Sequence, residues 1–484
     1  QKNILKADSL AETMGLLLFD AEGDGDPDLY VVAGGSEHGK ASEHYQDQIY
    51  INDGKGNFNA MPGALPNETI SGSCVSPSDF DHDGDIDLFI GGRVSPADYP
   101  LPVKSLLLRN ESTKTKISFK DVTDEVIPDL KLRGMICAAV WTDTDNDGWQ
   151  DLVTAGEFDP ITIFSNKNGN FSKSNDLNES RGWWNSLTTG DFDSDGDTDI
   201  IAGNLGVNSH FKASAEEPLC IHAKDFNGDG RIDPVMSYYV EGENYLGHPR
   251  DVLIDQINSM RARFRSFKEY SEATFEQSFL PEELHDAYEI CAERFENSFL
   301  ENDGTGKFKL LPLPLWSQIA PMYGGIAEDF NQDGQLDFLA IGNSYSPEVI
   351  SGRDDASIGW FLTKDRDGKM ITRPIAETGF LADGDGKGLT RIMVGEQVWI
   401  IASNNNGPLK IYKLNRTIKA LPLMKGERTV TALLSNGKKI KYEIQNGSSY
   451  LSSGSNQFIP PAGTISVIFS DFQGKTREIQ LGKK

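Results

Sequence analysis

Six stretches of this chain share one spacing: acid, any residue, acid or Asn, any residue, Asp, Gly, two free positions, Asp, then apolar residues. They read DAEGDGDPDLYVV from Asp20, DFDHDGDIDLFIGG from Asp79, DTDNDGWQDLVTA from Asp143, DFDSDGDTDIIAG from Asp191, DFNGDGRIDPVMS from Asp225 and DFNQDGQLDFLAI from Asp329. Carboxylates packed this closely repel one another, so the pattern calls for a positive partner. Positions one, three, five and nine always carry a side-chain oxygen. They are Asp20, Glu22, Asp24 and Asp28; Asp79, Asp81, Asp83 and Asp87; Asp143, Asp145, Asp147 and Asp151; Asp191, Asp193, Asp195 and Asp199; Asp225, Asn227, Asp229 and Asp233; Asp329, Asn331, Asp333 and Asp337. Position seven is unrestricted (Asp26, Asp85, Trp149, Asp197, Arg231, Gln335), as expected of a residue that offers only its backbone carbonyl. Gly at position six supplies a sharp turn. Oxygen donors in this order suit a hard cation, and calcium, with about 6–8 oxygens at roughly 2.3–2.6 Å, fits better than magnesium. One ion per loop gives about six calcium ions. An acidic solvated turn explains one copy far more easily than six. An EF-hand is excluded, because its loop closes with Glu at position twelve between helices, whereas here β-forming residues follow an Asp at position nine.

The repeat also sets the expected fold. A short apolar segment precedes each loop (GLLLFD, ICAAVWTD, GGIAEDF) and another follows (DLYVV, DLFIGG, DFLAIG), making a hairpin. A third strand with an Asn or Gly turn often comes next, as in QIYINDGKGNF, ITIFSNKNGNF and SFLENDGTGKF. Four short antiparallel strands form a propeller blade, and a closed ring of blades leaves no exposed sheet edge. The prediction is an all-β chain: a seven-bladed β-propeller over residues 1–423, with six metal-loop blades and a seventh without a loop (GLTRIMV, QVWIIAS, LKIYKL). The loops at Asp191 and Asp225 lie close together, so blade four reads as short. Blade five carries a helical insertion over about 250–297. There Pro281, Glu282 and Glu283 suit a helix start, and Leu284, Tyr288, Cys291 and Phe295 fall on one helical face.

The composition changes at Met424. From there to the end, nine Lys and Arg stand against four Asp and Glu, a net +5, which leaves −32 on the remainder of a chain whose total is −27. RTVTALLSNGKKIKYEI and GTISVIFSDFQGKTREIQL read as two hairpins, so residues 424–484 form a small C-terminal β domain. That domain is either free to bind or docked on its own acidic propeller. The overall acidity excludes nucleic acid as a partner. Cys74, Cys137, Cys220 and Cys291 have no disulfide or zinc spacing and read as buried free thiols. No apolar run has the length of a membrane helix, and the start at Gln1 reads as a mature form or a fragment.

The Asp loops together with turns such as NDGKGNF and NDGTGKF resemble FG-GAP/VCBS repeat β-propeller proteins over about Gly15 to Asn415. The tail, with GSSYLS at Gly447–Ser452, resembles the ASPIC/UnbV domain. Longer stretches (YQDQIYINDGKGNF, GWWNSLTTGDFDSDGDTDIIAGNLGVNS, GRDDAS) resemble outer-membrane surface proteins of Bacteroidota. The resemblance implies an outer-membrane, cell-surface location on the extracellular side, as an accessory component of a SusC/SusD-type nutrient uptake complex. Its partner would be an outer-membrane transporter or a surface lipoprotein, and it implies no catalytic reaction.

A ligand site is expected on the face opposite the metal loops, where the connections leaving strand two and entering strand one converge. The candidates are Arg93, Glu157, Trp183, Trp184, Asn204, Tyr323, Asn343, Tyr345, Arg353 and Asp354, with an extracellular glycan or peptide as the alternative to a protein partner. The seven histidines (His38, His44, His82, His210, His222, His248, His285) form no catalytic motif. The chain therefore reads as a calcium-stabilised binding or scaffold protein rather than an enzyme. A polysaccharide lyase or hydrolase on a calcium propeller is the first alternative and an adhesin the second.

Overall fold

The computed structural model describes residues 10–130, 133–174, 177–347, 351–444, 454, 457–471 and 473–482. Short antiparallel strands dominate, and they group into sheets as the repeat requires. Sheet one comprises Glu12–Phe19, Asp28–Gly34, Gln48–Asn52 and Phe58–Ala60. Sheet two comprises Ser71–Ser78, Asp87–Val94, Leu106–Asn110 and Phe119–Asp121. Sheet three holds Met135–Thr142, Asp151–Asp159, Thr162–Lys167 and Asn170–Lys173, with Gly182–Trp183 added at Glu157 and Asp159. In each, the acidic loop joins strand one to strand two.

The apolar run after each loop follows from period-two alternation between two buried faces. Leu88 packs with Leu17 and Tyr30 of sheet one, whereas its neighbour Phe89 packs with Trp141 and Leu152 of sheet three. Val153 reaches sheet four, and Ile201 and Leu339 each continue the series to the next sheet. Five apolar clusters thus join six consecutive sheets. Among the described residues no cluster joins the sixth sheet to the first. On sheet one, Leu17 is 1% exposed while Leu16 and Leu18 are 42% and 47% exposed.

The expected order of units needs one correction. Sheet four consists of Ser186–Gly190, Asp199–Gly203, Ser298–Asn302 and Phe308–Pro312. The unit counted from sequence as blade five is inserted between its second and third strands. That insert forms its own sheet, in the order Glu243–Leu246, Asp233–Val240, Leu219–Lys224, Tyr288–Ala292, and carries the loop at Asp225. Five short helices between Arg250 and Leu284 pack on its Val235 through Leu253, Phe264, Phe275 and Phe279. The helix does not run on to Phe295: Tyr288–Ala292 is a strand paired with Leu219–Lys224. Sheet five (Met322–Glu328, Asp337–Gly342, Trp360–Lys364, Met370–Thr372) and sheet six (Gly386–Val394, Gln397–Asn404, Lys410–Thr417) follow. The seven-bladed count is therefore replaced by six sheets in series with one inserted sheet. The short spacing between the loops at Asp191 and Asp225 reflects the start of the insert, not a short blade.

A second correction concerns the cysteines. Cys220 and Cys291 face each other across the insert's strands and form a disulfide. Cys74 and Cys137 are buried free thiols.

The basic tail folds into a sheet ordered Lys439–Glu443, Glu427–Leu434, Thr464–Asp471, Thr476–Gln480 over its own core of Val430, Val467 and Phe469. The stretch GSSYLS lies outside the described residues. This C-terminal domain sits on the acidic-loop side of the six sheets. With their inner strands it encloses a cavity of about 680 Å³ lined by Leu17, Cys74, Cys137, Leu187, Glu328 and Tyr442, among others.

Candidate cation loops and the opposite end of the sheets

The closing aspartates are the most buried acids in the loops: Asp28, Asp87, Asp151, Asp199 and Asp337 are all at most 1% exposed. The first four are anchored on both sides, whereas Asp337 accepts from Asn331 of its own loop. In loop two, Asp87 accepts Phe80 N–H at 3.2 Å and Asn110 N–H at 2.8 Å. Asp28, Asp151 and Asp199 repeat the arrangement with Ala21 and Asn52, Thr144 and Asn166, and Phe192 and Asn302. The Asn at the end of strand three also reaches back one sheet through its side chain. Asn110 donates to Ala21 O, Asn166 to Phe80 O and Asn302 to Thr144 O, each at 2.9 Å. In the first four sheets a closing Asp thus ties loop to third strand, and in sheets two, three and four an Asn ties the sheet to the preceding loop. The pairing of Asn302 with Asp199 shows that sheet four is completed after the insert. The sequence signal for this staple was the recurrent Asn at Asn52, Asn110, Asn166 and Asn302, first read only as turn chemistry.

In the first four loops the acids converge. In loop one Asp20, Glu22 and Asp28, in loop two Asp79, Asp81 and Asp87, in loop three Asp143, Asp145 and Asp147, and in loop four Asp191, Asp193 and Asp195 each bring one oxygen apiece within 4.8 Å of one another. Several of these oxygens are buried without a hydrogen-bond partner: Glu22 Oε2, Asp79 Oδ1, Asp81 Oδ1 and both oxygens of Asp191. An unpaired buried carboxylate oxygen is costly, and desolvation with crowded like charges pushes the acids up. Asp87 rises to about 9 and Asp199 to about 7, burial being the main cause in each case. All-oxygen donors, acid crowding and orphaned oxygens fit a hard divalent cation. The loops at Asp225 and Asp329 have Asn at position three and hold fewer carboxylates. Asp225 spends its side chain on the loop amides of Gly228, Asp229 and Gly230.

The C-terminal domain reads these same loops. Arg428 Nη2 donates to Asp79 Oδ2 at 3.0 Å, with both side chains largely buried. Ala462 N–H donates to Asp329 Oδ2 at 3.1 Å. Glu443 accepts Asp143 N–H at 3.0 Å and Thr198 Oγ1–H at 3.3 Å, and Lys441 donates to Asn146 at 2.6 Å. Of the two expectations for the basic tail, the docked one holds.

At the other end of the sheets the candidates divide into two groups, with three outside both. Arg93 Nη2 donates to Glu157 Oε1 at 2.5 Å, and Trp183 Nε1 donates to the same oxygen at 2.8 Å. This group lies where the insert packs on sheet three through Met135, Phe158, Leu219 and Ile221. The second group spans sheets five and six. Lys387 Nζ stands 3.7 Å from the Tyr323 ring centroid, donates to Asn343 O at 2.9 Å and lies 3.0 Å from Asp385. Arg353 covers the Tyr345 ring at 5.0 Å, Tyr345 donates to Asp383 O at 3.0 Å, and Asp354 bridges Ser344. Three candidates are structural. Trp184 is fully buried between sheets three and four, its Nε1 bonded to Ser180 O. Asn204 and Asn343, both 0% exposed, hold turns through Trp183 N–H and Leu205 N–H, and through Ser357 O and Gly384 O respectively. Sequence reasoning missed Lys387 and Asp385, and also Trp316, which is 67% exposed beside Leu315 at 75%. The Pro-rich stretch LPLPLW before Trp316 carried no periodic signal to draw notice.

With this geometry in hand, comparison with known proteins gives a class. An FG-GAP-like repeat model matches residues 13–90 and 143–202, which hold the first four acidic loops. The chain is an all-β protein carrying FG-GAP-like repeats. No curated protein matches it. Among solved structures, the chain is similar to the exo-β-1,3-galactanase of Phanerochaete chrysosporium with galactose, at 9% identity over 93% of this chain and 91% of that one, with a TM-score of 0.26. A variant of that enzyme with β-1,3-galactotriose is similar at 8% identity over 98% and 90%, again with a TM-score of 0.26.

Proposed function

We propose that this chain is a calcium-stabilised, non-enzymatic binding protein of the extracellular surface, an accessory part of an outer-membrane uptake complex of the SusC/SusD type. Its partner, a transporter or surface lipoprotein or else a glycan or peptide in transit, binds at the end of the sheets away from the acidic loops. One observation carries this reading. The loop end is covered by the chain's own C-terminal domain, whereas the opposite end keeps Arg353 and Trp316 exposed and Tyr345, Tyr323 and Lys387 half-exposed. Exposed Trp, Tyr and Arg side chains are the usual anchors of interfaces.

The test is copurification from native membranes with the wild-type chain and with an Arg353→Ala, Tyr345→Ala, Trp316→Ala variant of unchanged calcium content. The variant is expected to lose the partner that the wild type recovers. Equal recovery would place the partner elsewhere, and ultraviolet absorbance from an unsaturated sugar product with purified protein would make the chain a lyase.

A further inference from the structure

We propose that the cation site of loop two is composite, with Arg428 of the C-terminal domain as the positioning residue for its first ligand. This rests on the reading of the loops as calcium sites and extends it to a part of the chain that the repeat does not include.

In four loops the first-position carboxylate is held by the loop's own amides. Asp20 accepts from Gly23, Asp24 and Gly25, and Asp143 from Asp147 and Gly148. Asp225 does the same, and Asp329 adds Ala462 N–H of the C-terminal domain to its own loop amides. Asp79 is held differently. Its side chain is 0% exposed, and Oδ2 takes the Arg428 guanidinium at 3.0 Å. Its other oxygen, Oδ1, is buried with no partner, and so is Oδ1 of Asp81. Asp79, Asp81 and Asp87 nevertheless present oxygens within 4.8 Å of one another. The arrangement fixes one oxygen of Asp79 from outside the loop and leaves the other available inside it.

Charge favours the same reading. Loop two carries Asp79, Asp81, Asp83, Asp85 and Asp87, more negative charge than one divalent ion neutralises. The C-terminal domain adds Arg428 and, at 3.8 Å from Asp85, Lys425. Partners that orient a ligating carboxylate through its second oxygen strengthen metal binding, and losing one weakens it about 10- to 100-fold. By linkage, a cation in loop two tightens the docking of the C-terminal domain by the same factor.

The experiment titrates the metal-free chain with calcium alone by isothermal calorimetry. The variants are Arg428→Met, Arg428→Lys, Asp79→Asn, the Asp79→Asn/Arg428→Met pair, and Lys441→Met as a docking contact made to loop three. Arg428→Met is expected to weaken one site about 10- to 100-fold and leave the others in place, with partial recovery in Arg428→Lys. It should have no further effect in the Asp79→Asn background, and Lys441→Met should leave the loop-two site unchanged. Unchanged binding in Arg428→Met overturns the proposal. So does equal weakening of all sites, or the same loop-two loss in Lys441→Met, since either makes docking in general the cause. If the wild-type chain takes up no calcium, the underlying reading of the loops falls first, and the two failures are told apart by that control.

Discussion

Replacing Asp87 by Ala separates two roles that a closing aspartate plays at once. Its carboxylate is 0% exposed and accepts two backbone N–H groups, Phe80 at 3.2 Å and Asn110 at 2.8 Å. Alanine leaves both donors buried without a partner, at about 1–3 kcal/mol each, so the loss without metal is about 2–6 kcal/mol. Relief of buried charge does not offset it. Burial pushes Asp87 to about 9, so in metal-free protein at neutral pH the group is already protonated. Calcium adds a second, separable loss, because removing a ligand forfeits stabilisation by mass action, about 1.4 kcal/mol for each tenfold loosening. Asp83→Ala is the control. Asp83 is exposed and, among the described residues, accepts only Asp85 N–H, so it should cost within about 0.5 kcal/mol in chelator and show its effect only with calcium. Urea melts of both variants, with and without chelator, measure this. An Asp87→Ala melt unchanged in chelator would refute the anchoring argument. Equal losses in both buffers would remove Asp87 from the ligand set.

Trp184→Ala should cost about 3–5 kcal/mol, the usual price of emptying a large core site, and leave partner affinity of the folded fraction unchanged, as measured by melting and by binding to the copurified partner. Opening the Cys220–Cys291 disulfide, which spans 71 residues, should release about 4 kcal/mol of constraint, read as faster proteolysis between Arg250 and Leu284 while the six-sheet core melts as before. In metal-free buffer, stability should fall as pH rises from about 4 to 8. Glu22, Asp151, Asp199 and Asp337 have folded values raised to about 7, chiefly by burial, so their contribution is complete below their unfolded values and disappears as pH passes through the folded ones. With calcium the slope should reverse, since the ion binds the ionised carboxylates; a parallel slope in both buffers would count against the loops as cation sites.

The acidic spacing and the apolar runs beside it determined much on their own. Alternation at Leu88 and Phe89, and again at Ile200 and Ile201, specifies strands buried on both faces, and the acidic spacing specifies where carboxylates gather, as they do in the first four loops. These are local properties, set by period-two geometry and by neighbours a few residues apart. The tertiary structure decided everything that depends on distant partners. Nothing local says that the strand ending at Gly203 waits for Ser298–Asn302 to complete its sheet, because the insert between them has the same loop-and-strand grammar as a blade. Cys220 and Cys291 were read as free for the same reason, since only strand pairing brings them face to face. Trp183 and Trp184 are adjacent in sequence, yet one is half-exposed beside Glu157 and the other is core, because alternate side chains point to opposite faces of the backbone. The +5 tail announced an attraction to the acidic remainder, but charge alone is non-directional. Only packing decided that Arg428 meets Asp79, and that this domain rather than an outside partner covers the loops.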